Sequence, residues 1–407
     1  MTAVTELPFT RDPFGDAKTI ASVSAAHFVS HVYILLLPPL FEVIRADFQV
    51  SYTELGLALV AFNALTATFQ TPAGFLVDQI GARVVLIAGL LLGTLAVVVA
   101  GLATSFWAFV AMFGLAGLGN AVYHPADYAM LSDRVANERI GQAFSIHTFA
   151  GMLGGAVAPG LLLFLYGLAG WRGAFVAISL LGIIAAAALA LLRDRAAPHE
   201  HIAVEPAPAN GPTSLALLIS PIILLNFAFF TLFAFCNGGL ITYSVVALTA
   251  AHGTPLAVGN LALSGFLLLN AAGVLLGGLL LGRVSPAIVT AATMGAFALL
   301  AAALGLFNLG TAATVGAMSF AGLAAGMAMP SRDMMVRAVT PPGSFGKVFG
   351  FVTTGFNFAG VLVPLFFGPL MDHGHPVAVF MLTAAVSLLA VATIAGVRRR
   401  RDAATPT

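Results

Sequence analysis

The sequence predicts an all-α polytopic membrane protein, with twelve transmembrane helices arranged as two pseudo-symmetric six-helix bundles. Three observations carry that expectation. Of 407 residues, 60% are hydrophobic and 8% charged, against roughly 25% charged in an ordinary soluble domain. Apolar runs near the ~20 residues that cross a bilayer recur along the whole chain. The sequence also matches itself at an offset of 205 residues: Gly117-Leu118 falls on Gly322-Leu323, Pro125 on Pro330, Gly141 on Gly346, Phe144 on Phe349, Thr148 on Thr353, Pro159 on Pro364 and Phe175 on Phe380. The proline pairs weigh most, because glycine and alanine matches arise easily by chance in such helices.

The first six spans are expected at 19–44, 53–77, 84–103, 106–131, 140–165 and 172–192, within an N-terminal bundle over 1–192. The stretch 193–213, RDRAAPHEHIAVEPAPANGPT, has five charges, four prolines and no apolar period, which reads as a solvated cytoplasmic linker. A C-terminal bundle over 214–407 follows, with spans at 216–247, 256–281, 284–307, 311–335, 346–371 and 377–397 and a basic cytoplasmic tail, Arg398 to Arg401. That tail suits lipid headgroups. The first 18 residues carry Glu6, Arg11, Asp12, Asp16 and Lys18, unlike a cleavable signal segment, so the first span is expected to stay in the mature protein.

Positive residues collect on the cytoplasmic side of a bilayer. With both termini inside, that side holds Arg11, Lys18, Arg83, Arg134, Arg139, Arg193, Arg195, Arg283, Arg337, Lys347 and Arg398 to Arg401, whereas the outer loops hold only Arg45 and Arg172. The expected location is the cell inner (plasma) membrane. Lys and Arg number 17 against 16 Asp and Glu, and Cys236 is the single cysteine. A nucleic-acid partner, an internal disulfide and a cysteine-based metal cluster are therefore not expected. The chain has no nucleotide-binding loop, no H-E-x-x-H and no G-x-S-x-G, which argues against ATP as direct energy source and against an enzyme. The expected partners are a small-molecule substrate, protons and lipid, with the chain acting as a monomer and no cofactor beyond the proton gradient.

Between spans 2 and 3 the segment Gly74-Phe-Leu-Val-Asp78-Gln-Ile-Gly81-Ala-Arg83 resembles the G-x-L-x-D-[RK]-x-G-[RK]-[RK] signature of the major facilitator superfamily. Gly74, Leu76, Asp78, Gly81 and Arg83 match; Gln79 and Ala82 depart. Gly74 permits close helix approach, Asp78 suits a neighbouring helix N-terminus and Gly81 a tight turn. In the second half Gly278-Leu-Leu-Leu-Gly282-Arg283 keeps glycine and arginine without the acid. In span 5, Gly151-Met-Leu-Gly154-Gly155-Ala-Val-Ala158-Pro159-Gly160 looks like the helix signature of exporters in that superfamily, and equally like a small-residue helix contact. Within the superfamily, His27-Phe-Val-Ser-His31, Leu37-Pro-Pro39 and Gly117-Leu-Gly-Asn-Ala-Val-Tyr-His-Pro125 resemble the fosmidomycin-resistance-like transporters. That resemblance implies proton-driven efflux of small, often anionic or amphiphilic compounds by alternating access. The R-x-x-Q-G motif of many drug/proton antiporters stands here as Phe113-Gly-Leu-Ala-Gly117, without the arginine or the glutamine.

An ionisable group inside a span costs several kcal/mol unless paired or wetted, so few positions carry the functional information. His27 and His31 share one face of span 1; His124 and Asp127 share one face of span 4, and His147 lies at similar depth in span 5. Asp127 with these histidines is the expected proton-coupling set, although a membrane histidine also serves simply as a carbonyl's hydrogen-bond partner. No acid close in sequence accompanies the His27/His31 pair, so a metal is not expected there. Arg332 stands where the repeat superposes Asp127, and the two could pair to close an inner gate or each bond within its own half. Arg332, Asn226, Asn237, Asn270, Asn357, Tyr33 and Tyr123 are the expected substrate-binding residues, with interhelical hydrogen bonding the competing reading of the asparagines. Uptake of an organic anion by proton symport uses the same parts in reverse. Glu42, Arg45 and Asp47 read as a solvated outer rim.

Overall fold

The computed structural model describes residues 13–136, 139–192, 217–280, 283–340 and 345–404. Among these every regular element is helical: α1 Pro13–Ile34, a 3-10 turn Pro38–Leu40, α2 Phe41–Phe48, α3 Tyr52–Ile80, α4 Ala82–Leu102, α5 Phe106–Asn120, α6 Tyr123–Arg134, α7 Ile140–Ala190, α8 Pro221–His252, α9 Leu256–Leu280, α10 Pro286–Leu306, α11 Gly310–Val339, α12 Phe345–Asp372 and α13 Pro376–Ala404. Ten helical segments among the described residues have the length and apolar composition to cross a membrane. One of them, α7, contains two crossings, because its 51 residues bend at Ala169 and Gly170, where Gly170 takes φ 68°. Helix α3, 29 residues long, adds the twelfth. The linker expected over 193–213 lies outside the described residues, as do the side chains of Asp78 and Arg398 to Arg401.

Two expected spans are interrupted. Span 1 breaks after Ile34 because Pro38 and Pro39 supply no backbone N–H, and the chain turns through 3-10 geometry before α2 resumes. Span 4 divides into α5 and α6 across Ala121–Val122: a proline ring clashes with the carbonyl four residues back, and for Pro125 that carbonyl belongs to Ala121. Its repeat partner Pro330 is accommodated inside the continuous α11.

The packing is itself duplicated. In the first half α1 lies on α7, α3 on α5, and α4 on both α5 and α7; in the second, α8 lies on α12 and α13, α9 on α11, and α10 on both α11 and α13. The halves meet where α3 packs on α12 and α7 on α9. A repeat-related pair of glycines sets two close backbone approaches. A Cβ on Gly117 would sit 2.2 Å from the Phe62 carbonyl oxygen, and one on Gly322 would sit 2.0 Å from that of Phe266. Beside each contact a polar side chain binds the glycine's own carbonyl, Thr66 Oγ1 donating to Gly117 O at 2.8 Å and Asn270 Nδ2 to Gly322 O at 3.3 Å. Small residues let membrane helices approach in this way, and the side-chain bonds lock the register.

At one end of the molecule Asp372, the last residue of α12, reaches across to the other half. It accepts hydrogen bonds from the backbone N–H groups of Tyr52 (2.6 Å) and Thr53 (2.9 Å) and from the Thr53 hydroxyl. Ser51 and Glu54 complete a capping box there, with Glu54 N donating to Ser51 Oγ at 3.0 Å and Ser51 N to Glu54 Oε2 at 2.7 Å. The N-terminus of α3 is thus satisfied jointly by its own residues and by a carboxylate from the second half. Nearby, Arg45 pairs with Glu42 at 2.7 Å, Tyr52 OH donates to Glu42, and Arg172 pairs with Asp47, forming the rim expected from the sequence.

Candidate functional site

Three helices of the first half bring one carboxylate and four imidazoles together. Asp127 on α6 is fully buried (0% exposed). Its Oδ2 lies 2.9 Å from His147 Nε2 on α7 and 3.4 Å from His27 Nδ1 on α1. The His27 ring stacks on His147 with centroids 3.9 Å apart, meets His31 edge-on at 4.7 Å and lies 5.5 Å from His124. Tyr128, one residue beyond Asp127, stacks with His124 at 6.0 Å and tilts against His147 at 5.7 Å.

The local sequence makes this convergence possible. The i, i+4 spacing of His27 and His31 puts both on the α7-facing side of α1, and Gly151 on α7 leaves the space they fill. A Cβ there would sit 2.5 Å from His27 Cδ2 and 2.9 Å from His31 Cδ2. His124 is exposed, whereas His27, His147 and Asp127 are buried, so the cluster grades from an accessible ring to a sealed carboxylate. Among the described residues, Asp127 Oδ1, His27 Nδ1 and His147 Nδ1 have no hydrogen-bond partner. Such a set holds a proton or a cation between groups at hydrogen-bonding separation.

Arg332 on α11 occupies the pseudo-equivalent place in the second half. Its guanidinium lies 4.2 Å over the Phe230 ring, 5.0 Å over Phe356 and 5.2 Å over Phe233, and pairs with Asp333 at 2.9 Å. Nη1 is buried without a partner among the described residues. Asp127 and Arg332 therefore each bond inside their own half, and the direct Asp127–Arg332 gate contact is not made in this structure.

The other expected residues separate. Tyr33 is buried, its hydroxyl 3.2 Å from Thr94 Oγ1 and donating to Ser179 O at 3.2 Å, which ties α1 to α4 and α7. Tyr123 is buried, and its hydroxyl has no partner among the described residues. The amides of Asn226 and Asn237 donate to carbonyls four residues back, Ile222 O and Phe233 O, each at 2.8 Å; Asn270 serves the glycine contact described above, and Asn357 is half-buried on α12. In the signature segment, Gly81 turns the chain at φ 92° and Gly74 packs near Pro125. Arg83 donates through Nε to Leu189 O at 2.9 Å and through its terminal nitrogen to Ala190 O, capping the C-terminal end of α7.

Sequence reasoning missed Tyr128, the three phenylalanines around Arg332, and Asp372. The i, i+3 spacing of Phe230 and Phe233 was visible in the sequence; their convergence with Phe356 on a cation from another helix was not.

The Major Facilitator Superfamily profile matches residues 23–249 and 227–407. A probable L-galactonate transporter of Escherichia coli (strain K12) is 30% identical over 168 residues, 41% of this chain and 37% of that protein. The multidrug efflux protein YfmO of Bacillus subtilis (strain 168) is 28% identical over 225 residues, 54% of this chain and 55% of that protein. These matches thus span between about a third and about half of each relative. Among solved structures, a bacterial homolog of the human lysosomal transporter Spinster, in an inward-facing and occupied conformation, superposes with a TM-score of 0.78 at 16% identity, covering 96% of this chain and 98% of that one.

Proposed function

Because the chain belongs to the Major Facilitator Superfamily, we propose that it is a proton-coupled secondary active transporter that works by alternating access and exports small anionic or amphiphilic organic compounds. The observation that carries this reading is the sealed Asp127 carboxylate hydrogen-bonded to His147 and contacted by His27, with His124 opening toward the surface. A carboxylate in an apolar bundle is costly when charged, and adjacent imidazoles give its proton a place to go. Asp127, His124, His27, His31 and His147 form the proposed coupling path.

Arg332 is the proposed anchor for an anionic group, its Nη1, unpartnered among the described residues, held among phenylalanine faces suited to an apolar cargo body. Tyr33, Tyr123, Asn226, Asn237, Asn270 and Asn357 are the further proposed substrate-binding residues; Tyr33 and Asn270 also bond across helices. Gly74, Asp78, Gly81 and Arg83 form the proposed gating segment, and the two six-helix halves, 1–192 and 214–407 about the linker 193–213, are the proposed rocking bodies. The proposed setting is the inner membrane, with both termini cytoplasmic and the chain monomeric.

Export is favoured by the span 1 and span 4 segments, which resemble those of the fosmidomycin-resistance-like exporters, and by the multidrug efflux relative. The galactonate relative favours a second reading, proton-symport uptake of an organic anion. A susceptibility and uptake panel on cells with and without the gene separates the two. In proteoliposomes an imposed pH gradient should drive transport of the cargo so found. Asp127→Asn should abolish that drive, and transport equal to wild type from about pH 5 to about pH 8 overturns the coupling assignment.

A further inference from the structure

We propose that a groove between α1 and α7 binds one anionic phospholipid, with Lys18 meeting its phosphate, Ser24 its ester and the groove its acyl chain. The inference goes beyond the transport reading: it needs the membrane setting of the chain, and neither the cargo nor the proton coupling.

The groove runs between α1 and both crossings of α7, lined by Ala21, Ser24 and Ala25 on one side and Ala150, Leu181 and Ala185 on the other. Its volume is about 330 Å³, within the ~300–1,000 Å³ of small-molecule sites. It stays open because its walls are mostly alanine, too small to fill the space between these helix backbones. Beside it the same two helices do close, since a Cβ on Gly154 would sit 2.3 Å from the Phe28 carbonyl oxygen. Ile184 at the rim is 64% exposed, so the groove opens to the side of the bundle, where a bilayer supplies hydrocarbon.

An acyl chain alone gains little by choosing this groove, because lipid tails are as apolar as its walls. Selection has to come from polar groups, and α1 supplies two. Lys18, Ala21, Ala25 and Phe28 recur at helical spacing on one face of α1, which sets the exposed Lys18 about one turn beyond the groove toward the start of the helix. Asp16, two residues earlier and so near the opposite face, is buried. A lysine there reaches along its stem to a headgroup phosphate. Ser24, six residues on, lies ~9 Å deeper along the axis. A helical serine commonly satisfies itself on the carbonyl four residues back, whereas the Ser24 hydroxyl is buried with no partner among the described residues. Turned about its Cα–Cβ bond into the groove, it donates to an ester carbonyl. Ammonium, hydroxyl and apolar groove thus follow the order of phosphate, ester and chain along a phospholipid.

The occupant would lie against the helix that carries the coupling histidines. Ser24 precedes His27 by three residues, and Ala150 precedes Gly151, whose missing Cβ makes room for the His27 ring. A lipid held here braces α1 against α7 behind that ring.

The test is native mass spectrometry and thermal melting of the purified full-length protein titrated with phosphatidylglycerol or with phosphatidylcholine of the same chains. Photolabelling by a phosphatidylglycerol with a diazirine in its acyl chain locates the site. The expected result is one phosphatidylglycerol per chain, favoured at least ~5-fold over phosphatidylcholine, a melting temperature raised by phosphatidylglycerol, and label confined to residues 21–29 and 181–188. Lys18→Gln should erase the headgroup preference. Ala25→Phe, at an exposed position, should fill the groove and cut the labelling at least ~5-fold while keeping the gel-filtration profile of wild type. If that variant fails to fold, Ser24→Ala serves, with weaker retention of phosphatidylglycerol expected. Arg337→Gln, which removes an exposed cation at the end of α11, should change none of these readouts. Equal retention of the two lipids, an undiminished preference in Lys18→Gln, or label spread over other helices overturns the proposal.

Discussion

At Asp127 a carboxylate without solvent contact is held, among the described residues, by one hydrogen bond, from or to His147 Nε2 at 2.9 Å. Removing one partner of a buried polar pair is worse than removing both, because the survivor stays desolvated and unsatisfied. His147→Ala should therefore lower stability by roughly 3–5 kcal/mol, and Asp127→Asn in the same chain should restore part of it. Thermal melting of the two single variants and the double reads the coupling; strictly additive losses would contradict it. The sequence showed that these residues are rare ionisable groups inside spans, and the depth match of His124 and His147 was legible. For Tyr33 and the asparagines it left substrate binding and helix contact as competing readings. A side chain's partner depends on which neighbour faces it, and the Asn226 and Asn237 amides find carbonyls on their own helices. The Arg332 environment was hidden for the same reason, since its phenylalanines come from α8 and α12.

Among the helices, the repeat is more than a sequence pattern, because Gly117 and Gly322 make the same backbone approach in the two halves, to Phe62 and Phe266. Gly322→Ala would place a Cβ 2.0 Å from a carbonyl oxygen that has no rotamer to escape with, so α9 and α11 must part. The expected cost is about 1–3 kcal/mol, read as a lower melting temperature in detergent; an unchanged melt would contradict this account of the contact. Helix number and order were legible from hydropathy and charge. The breaks in spans 1 and 4 were signalled by Pro38-Pro39 and Pro125 but are masked in an apolar count, which averages over a single lost hydrogen bond. The backbone of α7 leaves helical geometry at Ala169 and Gly170, between the two spans where the sequence placed their boundary.

For the whole molecule, the halves are joined at one end by Asp372, whose carboxylate completes the N-terminus of α3. A charge at the end of a span looks in sequence like any solvated loop residue, and only the tertiary fold reveals its partner. Asp372→Ala should take the carboxylate from two helix N–H groups at a cost of about 1–2 kcal/mol and loosen the contact between the halves at that end. Spin labels at Gln49 and His373 should show a longer, broader distance distribution in the variant; an unchanged distribution would contradict a latching role. The central claim is that cargo movement is tied to a proton carried through Asp127. Its most direct measurement is the internal pH of proteoliposomes, followed with a trapped dye as cargo is added outside without any imposed gradient. Wild type should shift the internal pH in step with cargo and Asp127→Asn should not; an equal shift in the variant, or cargo movement in wild type with no pH change, would contradict the account.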